Sequence, residues 1–179
     1  MIPVAFDYER ATSTEQALSL LAEHGDEAKL MAGGHSLLPL MKYRLAAPAV
    51  LIDIGRLEEL SYVRDEGEEL AIGALTRHCE VEQNDLVRSQ VGLLAAATSQ
   101  VGDPQVRHRG TIGGAMAHGD PASDLPAALI ALRGSLVIDG PSGRRQVEAD
   151  SFFTGFLETD LGEDEMLIEV RLPKLPDST

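Results

Sequence analysis

Ala28-Lys29-Leu30-Met31-Ala32-Gly33-Gly34-His35-Ser36-Leu37-Leu38-Pro39-Leu40-Met41 passes from a strand pattern through a glycine pair into a short apolar helical pattern. Ala28 to Ala32 reads as a buried strand that runs straight into Gly33-Gly34, and Leu37 to Met41 as a short helix. Paired glycines remove two Cβ atoms, permit positive φ and let a ligand reach the main chain. Consecutive N–H groups together with the Ser36 hydroxyl then form a concave donor surface suited to phosphate oxygens. For this stretch alone an ordinary tight turn is the competing reading.

Upstream, Val4 to Tyr8 fits a first strand. Ser13 opens a helix, with Gln16 placed for a capping box and Gly25 after its end. Ala17, Leu18, Leu20, Leu21 and Ala22 form its apolar face. Downstream, Val50 to Ile54 is another strand, closed by Gly55. The first third therefore follows a βαβ(α)β order, and a boundary falls near Gly55 to Leu60. Ser61 to Arg64 and Glu69 to Ile72, separated by Asp65-Glu66-Gly67, carry a hairpin signal. Thr76 is placed to cap a helix through Glu82, and Val91 to Ser99 reads as an alanine-rich helix. Val101 to Asp124 lacks periodicity and reads as a long functional loop. Leu125 to Leu132 is helical, with Ser123 or Asp124 as cap and Pro126 in its first turn. Leu136 to Ile138, Arg145 to Val147 and Met166 to Leu172 complete the strands.

The long loop repeats the parts of the first stretch in another order: Gly110, Thr111, Ile112, Gly113-Gly114 and the small Ala115. Two glycine pairs, each beside a hydroxyl residue, suit a single elongated diphosphate ligand. Spacing excludes the commonest nucleotide motifs. No two glycines are separated by one residue, so G-x-G-x-x-G is absent; the only glycines five apart, Gly114 and Gly119, are followed by Asp120, which rules out a Walker A loop. No G-x-S-x-G elbow occurs either.

Composition narrows the function further. The 179 residues are 44% hydrophobic, enough for a packed core, and carry a net charge of −14. That charge disfavours nucleic acid and anionic membranes as partners, so an anionic ligand must be held by local geometry. The single Cys79 excludes an intrachain disulfide and an iron–sulfur cluster ligated within the chain. The N-terminus resembles no targeting peptide and no apolar run spans a bilayer, so a cytoplasmic location is expected. His118, Asp120 and Asp124 fit no metal-ligand spacing. Arg107-His108-Arg109 is the densest basic spot, suited to a diphosphate, a partner's carboxylates or solvent. Glu158 to Glu165 is most simply a solvated acidic loop before the last strand.

Ala32 to Ser36 with the following Leu37 to Lys42, and Arg107 to Gly114 with the ensuing Asp120-Pro121-Ala122-Ser123-Asp124, resemble the two flavin motifs of the FAD-binding (medium) subunits of molybdenum hydroxylases. The carbon monoxide dehydrogenase-like group is the nearest match. The resemblance runs from Phe6 to Pro173. It implies an α+β fold of the vanillyl-alcohol-oxidase (PCMH) type, with two α/β subdomains, 1–57 and 58–179, the second built on an antiparallel sheet. It also implies an extended, non-covalent FAD between them. Leu30, Met31, Ala32, Gly33, Gly34, His35, Ser36 and Leu37 would wrap the pyrophosphate. Thr111, Ile112, Gly113, Gly114 and Ala115 would meet pyrophosphate and flavin, Asp124 the sugar-alcohol portion and Leu167 the flavin ring. Val101 stands where some relatives carry an aromatic residue.

No general acid or base is expected in a subunit of this kind. Its partners would be a molybdenum-cofactor large subunit and a [2Fe-2S] small subunit in a dimer of heterotrimers, at the inner face of the membrane where partners hold it there. The family continues into a further C-terminal domain beyond the length of this chain. Two other functions compete: a stand-alone flavin oxidase of the same fold, in which His35 carries flavin covalently, and a flavin-free interaction module.

Overall fold

The computed structural model describes residues 2–174, which form two main sheets meeting along one seam. The first sheet is parallel, in the order β1 (Asp7–Arg10), β3 (Val50–Asp53), β2 (Ala28–Met31). The first strand thus lies later than Val4 to Tyr8, where its register is set by pairing Asp7 to Val50 through Arg10 to Asp53. α1 (Thr14–His24) lies against this sheet. Ser13 Oγ accepts the Gln16 N–H at 3.2 Å, and Gly25, at φ 56°, ends the helix as expected. The Gln16 side chain turns back to the N–H and hydroxyl of Thr12, one residue short of a capping box with Ser13. Ala17, Leu20 and Leu21 are buried, each large side chain contributing roughly 1.5–3 kcal/mol. α2 (Leu37–Lys42) follows β2.

The second sheet is antiparallel, in the order β4 (Val63–Asp65), β5 (Glu69–Gly73), β10 (Met166–Pro173), β6 (Ser135–Asp139), β7 (Arg145–Glu148). The expected β4–β5 hairpin is present, with the Gly67 N–H donating to the Asp65 carboxylate at 2.9 Å in its turn. The helices are α3 (His78–Gln83), α4 (Asp85–Gln90), α5 (Gly92–Ser99), α6 (Pro104–Arg107), α7 (Ile112–His118), α8 (Asp124–Ala131) and α9 (Ala149–Phe152). α4 is a helix the periodicity did not reveal, although its Asn84 cap is a recognisable signal. Thr76 caps nothing: its hydroxyl donates to the Tyr62 carbonyl and accepts the Tyr62 N–H, and α3 starts two residues later.

β10 joins the two halves. Leu167, Val170 and Leu172 enter the larger core with Ile72, Leu94, Leu129 and Phe152. Met166 and Ile168 enter the smaller core with Ala17, Leu21 and Ile52. A register shift between Leu167 and Glu169 accommodates this split. A short hairpin, β8 (Phe153–Gly155) and β9 (Glu158–Thr159), precedes β10. No helix among the described residues is long and apolar enough to cross a membrane.

Candidate functional site

A cleft of about 570 Å³ runs along the seam between the two sheets. It is lined by the β2–α2 turn, the start of α7, the Thr159 to Leu167 segment and Leu75. Of the fifteen site residues expected from sequence, all but Ile112 and Asp124 line it. Ile112 is fully buried in the larger core. Asp124 is exposed in the first turn of α8, where Ser123 accepts the Leu125 N–H at 3.4 Å. Val101 also lines the cleft.

The first motif leaves β2 and turns through Gly33 and Gly34, the latter at φ 74°, before α2 begins at Leu37. The Gly34 and Ser36 carbonyls accept the Leu38 and Leu40 N–H groups at 3.0 and 3.2 Å. The N–H groups of Gly33, Gly34, His35 and Ser36 meet no acceptor among the described residues. Four consecutive donors without an internal acceptor, on a turn that lines the cleft, are available to an anionic ligand. His35 Nδ1 lies 3.1 Å from the Gly33 carbonyl, which fixes the ring against its own turn.

The second motif corrects the expectation of a long loop. Asp103 caps α6 by accepting the Val106 N–H at 2.9 Å, with Pro104 in the first turn. Thr111 caps α7 by accepting the Gly114 N–H at 3.2 Å, and Gly119 closes it in the left-handed region at φ 59°. Gly113-Gly114 therefore sits in the first turn of a helix. The Ile112 and Gly113 N–H groups donate to the Thr76 and Ala74 carbonyls at 3.0 and 2.8 Å. These donors hold the helix against the segment after β5, so the motif presents to the cleft mainly the Thr111 hydroxyl, the positive end of the helix and the small surface of Gly114 and Ala115.

The two motifs touch. A Cβ on Gly33 would lie 2.1 Å from the Arg109 carbonyl oxygen, and one on Gly113 would lie 2.5 Å from the Ala74 Cβ. Glycine is needed at both positions for close approach of the main chain. In the basic spot, Arg107 Nε lies 2.9 Å from a Glu82 oxygen with both side chains largely covered, whereas His108 and Arg109 are exposed.

Two cleft features were not anticipated. His78 lines the wall and is 4% exposed; its Nδ1 is buried with no partner, and a Cβ on Gly110 would lie 2.6 Å from its ring. Burial, then the Arg107 and His35 charges, pull its pKa down to about 4, so the ring is neutral. Nothing in the sequence distinguishes His78 from a core histidine. The acidic segment is largely exposed, as expected, with Glu158, Asp160, Glu163 and Asp164 at the surface, but it also borders the cleft, which Leu161, Gly162, Glu163 and Glu165 line. Its anchor is Arg145, far away in sequence, which is why local reading missed it. Hydrogen bonds from Arg145 hold the Glu165 carboxyl below the usual carboxylate range.

Residues 4–175 match the model of a family described as the FAD binding domain in molybdopterin dehydrogenase. This chain belongs to that family. It is 48% identical over its whole length to the carbon monoxide dehydrogenase medium chain of Hydrogenophaga pseudoflava, covering 62% of that protein. It is 30% identical to the xanthine dehydrogenase FAD-binding subunit of Escherichia coli O157:H7 over 170 residues, 94% of this chain and 58% of that one. Among solved structures, a carbon monoxide dehydrogenase from Hydrogenophaga pseudoflava superposes with a TM-score of 0.97 over 99% of this chain and 62% of the other, at 48% identity. Quinoline 2-oxidoreductase from Pseudomonas putida 86 gives 0.94 at 33% identity, over 99% and 61%. The chain thus spans about three fifths of the length of these relatives. The α+β fold, a parallel sheet followed by an antiparallel one, is that of this FAD-binding family. The residues present fit FAD: unused main-chain donors, glycines where a Cβ would collide, and a cleft of about 570 Å³ lined by both glycine motifs.

Proposed function

We propose that this chain is the FAD-binding part of a molybdenum hydroxylase of the carbon monoxide dehydrogenase-like group, passing electrons from iron–sulfur clusters in a partner subunit through FAD to an external acceptor. The observation that carries this reading is the row of four unused N–H groups from Gly33 to Ser36, set against the start of α7 across a glycine-only contact. In a chain of net charge −14, such donors hold a pyrophosphate without any lysine or arginine. Leu30 to Leu37 take the pyrophosphate, Thr111 and Gly113 to Ala115 its other side, and Leu167 supports the flavin ring. Ile112 acts from behind by anchoring α7, and Asp124 is left to reach the sugar-alcohol portion from the mouth.

FAD supplies, when bound, the exchange between single-electron and two-electron carriers. The protein's own residues bind and orient it, and the buried wall of Leu75, Met166 and Leu167 keeps water from one side of the cleft. The flavin is held non-covalently, a reading supported by the contact that occupies His35 Nδ1, 3.1 Å from the Gly33 carbonyl. A division into subdomains 1–57 and 58–179 is supported by the parallel sheet ending at Asp53 and the antiparallel sheet starting at Val63. The partners are a molybdenum-cofactor large subunit and a [2Fe-2S] small subunit in a dimer of heterotrimers, in the cytoplasm or at the inner membrane face; of this, relatives named as medium chains support the large and small partner subunits. Co-expression with such subunits tests it: a stable complex that reduces the flavin on substrate addition is expected, and a chain that copurifies with neither would overturn the assignment.

A further inference from the structure

Asp160-Leu161-Gly162-Glu163-Asp164-Glu165 joins the β8–β9 hairpin to β10 and forms one wall of the cleft. Four of these six residues are acids, in a chain already at −14, and mutual repulsion favours their standing away from the surface. One guanidinium holds them down. Arg145 Nε and Nη2 donate to the two Glu165 oxygens at 2.7 and 2.6 Å, in a fork geometry. Its Nη1 donates to the Asp160 carboxylate at 2.6 Å, and Nη2 also donates to the Asp160 main-chain carbonyl. The first and last residues of the segment are thereby tied to one side chain on the edge strand β7.

The site around the clamp is built for it. Glu165 accepts the Gly162 N–H at 2.8 Å, closing a turn within the segment. Leu161 packs against the larger core, and Gly140 leaves room for Glu165, whose Cγ would lie 2.8 Å from a Cβ there. An isolated surface ion pair contributes little. A bidentate fork with a second carboxylate and a carbonyl on the same guanidinium is a different case, since the geometry is fixed by several bonds at once. Arg145 itself does not line the cleft.

We infer that Arg145 is a positioning residue for cofactor binding: it clamps Asp160 to Glu165 as a fixed wall beside Leu167 and neutralises Glu165 where the cleft receives an anionic ligand. This rests on the FAD-binding reading above. The test uses the full chain loaded with FAD, as wild type, Arg145→Gln, Arg145→Lys and Glu165→Gln. FAD release is followed by flavin fluorescence, apo-protein unfolding by denaturant midpoint, and the segment by cleavage with a glutamate-specific protease. Arg145→Gln and Glu165→Gln are each expected to speed FAD release roughly tenfold or more, since charged hydrogen bonds are lost. Arg145→Lys should fall between these and wild type, protease should cut faster at Glu163 in each variant and also at Glu165 in the two Arg145 variants, and the apo midpoint should stay near wild type.

Release rates within about twofold of wild type in both neutral variants would overturn the clamp, as would a large drop in the apo midpoint with unchanged release. If Arg145→Gln does not fold, Glu165→Gln decides alone, because it leaves β7 intact. Wild-type protein that takes up no FAD would sink the functional reading and the clamp with it; normal wild-type uptake with unaffected variants sinks the clamp only.

Discussion

Gly33 and Gly34 are neighbours with different reasons to be glycine. Gly34 has φ 74°, a conformation that side chains disfavour, while Gly33 is required because the Arg109 carbonyl would lie 2.1 Å from any Cβ. The second obstacle is main chain and cannot rotate away. Gly33→Ala is therefore expected to separate the two motifs, costing about 1–3 kcal/mol in urea unfolding and abolishing FAD uptake. A variant with wild-type stability and uptake would show that the contact is loose. His78 gives a pH signature. Its folded pKa of about 4 lies below the ordinary value, so between about pH 6.5 and 4 the unfolded chain takes up a proton that the folded chain refuses. Stability should fall on acidification through this window with a slope of up to about 1.4 kcal/mol per pH unit, and His78→Phe should flatten it. Denaturant midpoints at several pH values provide the check.

At the scale of elements, the β2–turn–α2 unit and α7 divide the work: one offers free donors, the other gives most of its donors to Thr76, Ala74 and the Thr111 side chain. Thr111→Ala removes the cap and should lower stability by about 1 kcal/mol, with Thr111→Ser restoring most of it; calorimetry of the pair measures this. The first unit was legible in the sequence because strand, glycine pair and helix follow one another without interruption. α7 was not, because Gly113-Gly114 reads as a breaker although Thr111 and Gly119 cap that stretch at either end. The central signals of α6, Asp103-Pro104, were equally present and equally masked by the surrounding glycines. Thirteen of the expected positions face the cleft because motif residues cluster wherever the chain clusters them. The Arg145 clamp and His78 depend on contacts between distant segments, which no local pattern records.

The whole molecule is a seam between a parallel and an antiparallel sheet, and β10 supplies side chains to the cores of both. The cleft lies along that seam, so the stability of the joined halves and the shape of the binding site are one property. A ligand that bridges the halves should raise the unfolding midpoint of both together, by mass action on the folded state. The chain covers about three fifths of the length of its relatives, and this portion holds main-chain donors without an internal acceptor and a cleft beside them.

Non-covalent binding of FAD along Gly33–Ser36 is tested by titrating the apo-protein with FAD and then precipitating the complex with acid. Saturable, stoichiometric uptake with yellow supernatant and colourless pellet is the predicted result; absence of uptake, or flavin retained in the pellet, would contradict it.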